Sequence, residues 1–391
     1  MNTAMQTVEW EILLPIIGVK FKTDVEFGPF SLRHASMENL REKHQLRLKE
    51  DFWCSTVLSV KIPGHVVPEQ NRCRRCARHK TDQTQPRLID GQMVDVVTLR
   101  NKECICIATI AGGEPTDVIG MALPLLEDML SLLRLFIFIG HRGQMPAHNL
   151  ISLQHLPHYS TVVGVTDSGK SYSEDLLPGT RIHDVPLHQK DIDLWILAWN
   201  FETLAATVYR SHTGQHVTPL HEIIGASMIQ FGAMMEETNL RDCFLRGATA
   251  VEALTNQAGG TGGVSAKFRE FGATFAVIAA HPDLASQAHP VVDSDMKQEW
   301  AAIEDDLKEL YKQRCHISHG SRRLHESNEE TLFNHRYQMG RIAVGALLLF
   351  DEISNSSDQF YARLKAVRDT LAPPAPVTPP RPRSASPRNR R

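Results

Sequence analysis

The sequence predicts an α+β protein, in which a strand-rich N-terminal domain is followed by an all-α helical bundle. Two observations support this fold class. Up to about residue 187, short runs alternate apolar and polar residues and are rich in β-branched side chains, which is typical of β-strands. From about residue 188, apolar residues recur at helical spacing over much longer stretches, which indicates amphipathic helices.

The strand-rich domain comprises residues 1–187, and its role is unknown. The runs "EWEILLPIIGVKF", "CSTVLSVKIPGHVV" and "ECICIATIAG" are separated by dense Gly and Pro punctuation. One helix-like segment over residues 121–137 interrupts this pattern, and residues 138–187 again predict short strands and turns.

The helical bundle comprises residues 188–368 and contains about five or six helices. The breaks between helices are the Gly-, Pro- and polar-rich stretches "SHTGQH", "AGGTGGVS" and "HPDLASQAHP". Residues 369–391 are rich in Pro, Arg and Ser, so we expect a disordered tail.

The charge of the chain argues against one class of function. The 391 residues carry a net charge of −3, but the last 21 residues hold five arginines and no acid. The remaining chain therefore has 37 basic and 45 acidic residues, a net charge of −8. An acidic body argues against broad binding to duplex nucleic acid, which needs a large basic face, and is compatible with a small basic site.

The N-terminus and the cysteine count indicate a cytoplasmic protein. The first residues lack the basic and apolar regions of a secretory signal. The most apolar run, at 121–140, carries Glu127, Asp128 and Arg134, so we expect neither a membrane span nor a membrane partner. Seven cysteines are an odd number, which fits a reducing compartment.

The stretch "LYKQRCHISHG" at residues 310–320 is the strongest candidate for a functional site. It ends a predicted amphipathic helix, for which Gly320 is a natural C-terminal cap. On a helical wheel Arg314 falls within the apolar stripe, His316 points nearly opposite, and His319 lies on the flank. The stripe itself consists of Trp300, Ile303, Leu307, Leu310 and Ile317. An arginine on such a stripe needs a partner, a pocket or an interface.

This stretch resembles the Arg-x(4–6)-His hallmark of the HEPN superfamily, and it is most similar to the Apea-like branch. Two further segments resemble neighbouring helices of that branch: "CFLRGATAVEALTN" (243–256), which carries Glu252 in an "EAL" context, and "AKFREFGATFAV" (266–277). The resemblance covers about residues 190–360, and it extends only weakly to residues 1–187.

The resemblance implies a metal-independent endoribonuclease that acts on single-stranded RNA, needs no cofactor, and forms a homodimer through the helical domain. Such proteins often serve in defence or stress responses. Arg314 would bind the scissile phosphate, and His319 would be the general acid or base on the 2′-hydroxyl or the leaving oxygen. Glu252 would orient His319 or pair with Arg314; a structural role in a buried helix is the alternative.

One departure from the family pattern favours a second hypothesis. The residue after the arginine is commonly polar in the family, and here it is Cys315, whose thiol is a weak hydrogen-bonding group. A non-catalytic HEPN module that binds RNA, nucleotides or a partner is therefore the alternative function. The structural interpretation is that Arg314 pairs with a carboxylate of another helix while His319 stabilises the helix terminus.

A competing motif is "GVTDSGKS" at residues 164–171, which matches the phosphate-loop pattern of P-loop NTPases. Such a loop needs a strand before it and a helix directly after it. The strand "STVVGV" is present, but Pro178 and Gly179 soon follow the motif, and "LLLFDE" (347–352), which resembles a Walker B ending, lies in a predicted helix. We interpret the motif as a hairpin or loop, and an NTPase is the weaker alternative.

Four cysteines form a candidate structural zinc site. They are arranged as a C-x2-C pair and a C-x-C pair, namely Cys73, Cys76, Cys104 and Cys106. His79 is a spare ligand. The alternative is an ordinary surface loop followed by two strand cysteines. The loop around the first pair, "NRCRRCARHK" (71–80), is also the most basic part of the body and suits RNA phosphates.

Overall fold

The structure is a computed structural model. It describes about half of the residues before residue 200 and most of those after it. The described residues are 9–16, 19–21, 25–34, 56–63, 84–89, 92–97, 99–101, 104–106, 115–141, 161–166, 171–175, 185–187, 193, 200–237, 239–258, 263–287, 289–318 and 329–372.

The strands lie in the first 187 residues. They are β1 (Glu9–Ile16), β2 (Val19–Phe21), β3 (Val25–Phe27), β4 (Phe30–His34), β5 (Thr56–Pro63), β6 (Thr84–Ile89), β7 (Gln92–Val97), β8 (Leu99–Asn101), β9 (Cys104–Cys106), β10 (Thr161–Thr166), β11 (Ser171–Asp175) and β12 (Val185–Leu187).

The largest sheet has six antiparallel strands in the order β11-β10-β1-β5-β4-β3. The pairs β12–β2, β6–β7 and β8–β9 form two-stranded ribbons. Along β1 the alternate residues Ile12, Leu14 and Ile16 are buried, because successive side chains of a strand point to opposite faces. The sheet therefore presents one apolar face to the helices.

The helices occupy most of the chain from residue 200 onward, preceded by one long helix between β9 and β10. They are α1 (Pro115–His141), α2 (Phe201–His212), α3 (Pro219–Glu236), α4 (Leu240–Thr255), α5 (Val264–Ala280), α6 (Asp283–Ser286), α7 (Ser294–Ser318), α8 (Glu329–Glu352) and α9 (Ser357–Leu371).

Local sequence signals explain where several helices begin. Thr218 caps α3 by accepting a hydrogen bond from the backbone N–H of His221, and Pro219 occupies the first helical position. Asn239 caps α4 through the N–H of Arg241, at 2.9 Å. Ser356 caps α9 in the same way. These side chains satisfy N–H groups that have no partner within the helix.

Helix α1 joins the sheet to the helical bundle. Its Phe136 packs edge-on against Phe201 of α2, with ring centroids 4.7 Å apart, and Phe201 also contacts Phe27 of β3, at 5.0 Å. Arg134, one of the charges in this apolar run, is 5% exposed and pairs with Glu236 of α3 over 2.7 Å. The buried side chains of sheet and helices thus form one continuous apolar cluster.

Two glycines allow helices to approach each other closely. A Cβ at Gly232 of α3 would lie 1.8 Å from the carbonyl oxygen of Ser131 in α1, and a Cβ at Gly345 of α8 would lie 1.8 Å from that of Phe275 in α5. Because any larger residue would push these backbones apart, the two glycines set the spacing of the pairs α1–α3 and α5–α8.

Residues 200–372 form an all-α region wherever the structure describes them, as the helical periodicity predicts. The structure adds two helices that the sequence analysis did not identify, the short α6 and the terminal α9. Helix α9 continues to Leu371, slightly beyond the predicted start of the tail at residue 369. The strand-rich domain and the boundary at residue 187 stay predictions. None of the described helices is long and apolar enough to cross a bilayer.

Candidate functional site

Helix α7 carries the candidate site on its last two turns. The predicted apolar stripe is confirmed, since Trp300, Ile303, Leu307, Leu310 and Ile317 are all buried. The stripe packs mainly against α5, where the indole N–H of Trp300 donates to the hydroxyl of Thr274 over 3.1 Å. These contacts hold α7 against α5.

The structure brings Arg314 and Glu252 together. Nη2 of Arg314 in α7 donates to Oε2 of Glu252 in α4 over 2.9 Å. The arginine side chain is 29% exposed and the glutamate side chain 15% exposed, so the pair lies at the edge of the core. Of the two partners that the sequence left open for Glu252, the described contact is with Arg314.

The other carboxylate oxygen of Glu252 has no such partner. Oε1 is buried, and no hydrogen-bond donor reaches it among the residues that the structure describes. An acceptor left in this state loses the hydrogen bonds that it makes to water in the unfolded chain, at a cost of about 1–3 kcal/mol. The carboxylate thus retains unused hydrogen-bonding capacity beside the arginine.

Tyr311 flanks Arg314 one turn earlier on the same helix. The guanidinium carbon lies 5.9 Å from the centre of the Tyr311 ring, within range of a cation–π interaction. Phe268 of α5 packs against the Tyr311 ring in a tilted arrangement, with ring centroids 5.1 Å apart. Burial raises the pKa of Tyr311, and the neighbouring Cys315 and Glu252 raise it further. The sequence places Tyr311 at the edge of the apolar stripe and assigns it no role at the site, although its spacing of three residues from Arg314 on a helix was the available signal.

The arrangement leaves Arg314 suited to bind an oxyanion. An arginine has five N–H groups in a planar fork, and Glu252 is its one hydrogen-bond partner among the described residues. The carboxylate and the aromatic ring restrict the movement of the guanidinium, so less entropy is lost when it binds a second anion. The exposed part of Arg314 can then donate a pair of hydrogen bonds to a phosphate.

Of the two histidines in the motif, His316 is among the described residues and His319 is not. His316 is exposed, in agreement with its predicted position on the wet side of the helix. Helix α7 ends at Ser318, and His319 and Gly320 lie outside the described residues. The role of His319 therefore stays a prediction based on the sequence and the resemblance.

The described residues of the motif "GVTDSGKS", 164–166 and Ser171, belong to two paired strands. Strand β10 ends at Thr166, strand β11 begins at Ser171, and the two pair antiparallel with Gly164 opposite Tyr172. A strand thus occupies the place where a phosphate-binding loop needs the N-terminus of a helix. The sequence allows a hairpin or a loop, and the antiparallel pairing of the two strands fits the hairpin. Residues 167–170, including Lys170, lie outside the described residues. The segment "LLLFDE" belongs to α8, as its helical period predicts.

The predicted zinc ligands are only partly covered by the structure. Cys104 and Cys106 belong to β9, whereas Cys73, Cys76 and His79 lie outside the described residues. Within the described part of the chain, no group of three or more His, Cys, Asp or Glu side chains could hold a metal ion. The zinc site stays a prediction.

A second polar cluster lies where α8 crosses the turn between α3 and α4, and the sequence analysis did not identify it. Arg336 donates from Nη2 to the carbonyl oxygen of Glu237 over 2.5 Å. Beside it, His335 stacks on Phe244 with centroids 4.1 Å apart. Burial lowers the pKa of His335 to about 4 and raises that of the Cys243 thiol to about 11.

The nitrogens of His335 point to a structural role. Neither nitrogen makes a hydrogen bond of normal geometry within the described region. Burial lowers the pKa of His335, and the nearby backbone of Cys243 raises it by a smaller amount. A Cβ at Gly247 would lie 2.8 Å from Nε2, so the imidazole is tightly enclosed. The signal in the sequence was the helical spacing of His335, which lies three residues after Leu332 and four before Met339, both of them buried.

Comparison with known proteins places the chain in no family. No family model, no curated protein and no solved structure matches it. A function for this chain is therefore inferred from its own residues and from the resemblance of its motifs to the HEPN superfamily.

Proposed function

We propose that this protein is a metal-independent endoribonuclease of the HEPN type, acting on single-stranded RNA. The observation that supports this function is the Arg314–Glu252 pair near the C-terminal end of α7, directly before the His319 that completes the Arg-x(4)-His element. A restrained, partly exposed arginine together with an acid–base histidine is the minimum set for cleaving a phosphodiester that supplies its own nucleophile.

In the proposed reaction Arg314 binds the non-bridging oxygens of the scissile phosphate. The ribose 2′-oxygen attacks phosphorus, its proton passes to a general base, and the bond from phosphorus to the 5′-oxygen breaks while that oxygen gains a proton. The products are a 2′,3′-cyclic phosphate and a 5′-hydroxyl. His319 would serve in one of the two proton transfers. Single-stranded RNA is the proposed substrate because its backbone can bend into the in-line geometry.

A homodimer formed through the helical domain belongs to the same proposal. Two copies of the segment from Arg314 to His319 would then contribute two arginines and two histidines to a shared cleft. The large apolar side chains that are exposed on the described surface are Val264 and Val291, so the described helices would associate mainly through polar contacts. Measuring the molar mass in solution tests this part separately from catalysis.

The decisive experiment is cleavage of a labelled single-stranded RNA in the presence of a metal chelator. We expect Arg314→Ala and His319→Ala each to lower the rate at least about 100-fold, because removing a charge-stabilising or acid–base group typically costs that much. His316→Ala is the matched control and should cleave like the parent, since His316 is exposed. Folded alanine variants that cut as well as the parent would exclude this catalytic site.

The same assay distinguishes the alternative function. A parent protein that binds single-stranded RNA through Arg314 but never cleaves it would be a non-catalytic HEPN module. Cys315→Asn, which restores the polar neighbour common in the family, should retain or raise cleavage if the enzyme is active.

A further inference from the structure

The carboxylate of Glu252 is only partly used by the protein. Oε2 accepts a hydrogen bond from Arg314, whereas Oε1 is buried without a donor among the described residues. Glu299 of α7, which is also half-buried, differs in that its Oε1 pairs with Arg341 and its Oε2 with His281. Within the described part of the chain, Glu252 Oε1 is the carboxylate oxygen that is buried without a partner. Its missing partner is therefore a hydrogen-bond donor.

A ligand that suits this pair must carry two groups of opposite character. Arg314 offers N–H donors and a positive charge, so it takes an anion. An ionised carboxylate only accepts hydrogen bonds, so Glu252 takes a hydroxyl and would repel an anion that brings no donor. RNA provides both groups within one nucleotide, because the 2′-hydroxyl and the 3′-phosphate are attached to neighbouring carbons of the ribose. DNA has only the phosphate.

We propose that Glu252 determines selectivity for ribose at this site by accepting a hydrogen bond from the 2′-hydroxyl of the nucleotide whose phosphate Arg314 binds. The inference rests on the proposed function and adds a specificity-determining residue to it. Oε1 is covered by the protein, but the terminal torsion of a glutamate is broad and two-fold. A change in this torsion would turn one carboxylate oxygen toward the sugar while the other stays paired with Arg314.

The test compares the binding of three oligonucleotides of one sequence: RNA, DNA and 2′-fluoro RNA. The fluoro strand keeps a ribose-like sugar pucker and lacks only the 2′-hydroxyl donor. Dissociation constants are measured by fluorescence anisotropy with the full chain carrying His319→Ala, so that cleavage does not interfere. We expect RNA to bind about 10-fold more tightly than either analogue, because a buried acceptor without its donor is costly.

Substitution of Glu252 should remove this preference. In Glu252→Ala the ratio between RNA and 2′-fluoro RNA should fall to about 1, mainly through weaker RNA binding. Glu252→Gln keeps the shape of the side chain and should also lower the ratio of RNA to 2′-fluoro RNA affinity. This variant tests the role of Glu252 if the alanine variant does not fold. Glu304→Ala is the matched control, since Glu304 forms a comparable half-buried pair with Arg269 over 2.6 Å, and it should retain the full ratio.

The outcomes separate this inference from the proposed function. If Glu252→Ala and Glu252→Gln still prefer RNA as the parent does, the role of Glu252 is wrong while the ribonuclease proposal stands. If the parent binds all three strands equally, selectivity at this site is excluded. If the parent binds none of them, both proposals are overturned.

Discussion

Arg314 and Glu252 lie 62 positions apart in the chain, and Nη2 of the arginine donates to Oε2 of the glutamate over 2.9 Å. The contact joins the last turns of α7 to the last turn of α4 at the edge of the apolar core. The carboxylate of Glu252 pairs with the positive charge of Arg314, which the helical wheel places on an apolar stripe. The contact leaves part of the guanidinium exposed, where a ligand can reach it. One pair thus has a structural and a proposed functional role.

The first prediction concerns the energetics of this pair. Arg314→Ala should lower the free energy of unfolding by about 1–2 kcal/mol, because it leaves a largely buried carboxylate without a cation. Glu252→Ala should cost less, since the more exposed Arg314 can be hydrated. Urea unfolding of both variants and of the double variant should give a coupling energy of about 1 kcal/mol. Strictly additive effects would show that the two side chains do not interact in solution.

The second prediction concerns stability below neutral pH. The pKa of His335 is about 4 in the folded protein and about 6.5 when unfolded, so the unfolded state binds the proton first as the pH falls. Stability should therefore decrease from about pH 6.5 downward and level off near pH 4. Between pH 7 and pH 5 this one residue should account for about 2 kcal/mol.

The matched variant for this measurement is His335→Gln, whose side chain does not titrate. Urea unfolding of parent and variant at several pH values isolates the histidine from the carboxylates, which titrate in both proteins. The parent should lose more stability than the variant between pH 7 and pH 5. If the free energy of unfolding changes with pH in the same way in both proteins, His335 is not held neutral in the core.

The third prediction concerns the close helix crossings. Gly345→Ala should destabilise the protein by about 3 kcal/mol or more, because the added methyl group would overlap the backbone carbonyl of Phe275 and force α5 and α8 apart. Gly232→Ala should act similarly between α1 and α3. Gly263→Ala is the control, since no atom lies within 4 Å of its Cβ position. Melting temperatures of the three variants provide the comparison.

The fourth prediction concerns the hairpin formed by β10 and β11. Lys170→Ala should leave RNA cleavage unchanged, and the parent should not bind ATP, because a strand rather than a helix follows the loop. Isothermal titration with ATP and magnesium checks the second point. Binding of ATP by the parent and its loss in the variant would restore the NTPase interpretation.

The helices show how far the sequence could lead. The stripe on α7 was identified correctly, because five apolar residues recur at a spacing of three, four or seven. The segment Ser357–Leu371 was overlooked although it has the same signals, with a capping serine and buried residues at Phe360, Leu364, Val367 and Leu371. Both elements were therefore predictable from local spacing alone.

The candidate site depends on more than local spacing. The position of Arg314 on the apolar stripe of α7 demanded a partner, but it did not identify Glu252 as that partner, and Glu252 could equally have served His319 or the core. The burial of His335 and Arg336 beneath the turn between α3 and α4 was not predicted at all. Choosing among distant partners requires knowing which helices are neighbours.

Residue spacing by itself determined the helical region, the stripe on α7, the exposed position of His316 and a hairpin or loop at residues 164–171, because hydrophobic period and turn chemistry act over a few residues. Only the tertiary structure decided that Glu252 pairs with Arg314, that Tyr311 flanks the guanidinium, and that one carboxylate oxygen is left without a donor. These relationships arise because α4, α5 and α7 pack around one core, which brings together residues far apart in the chain.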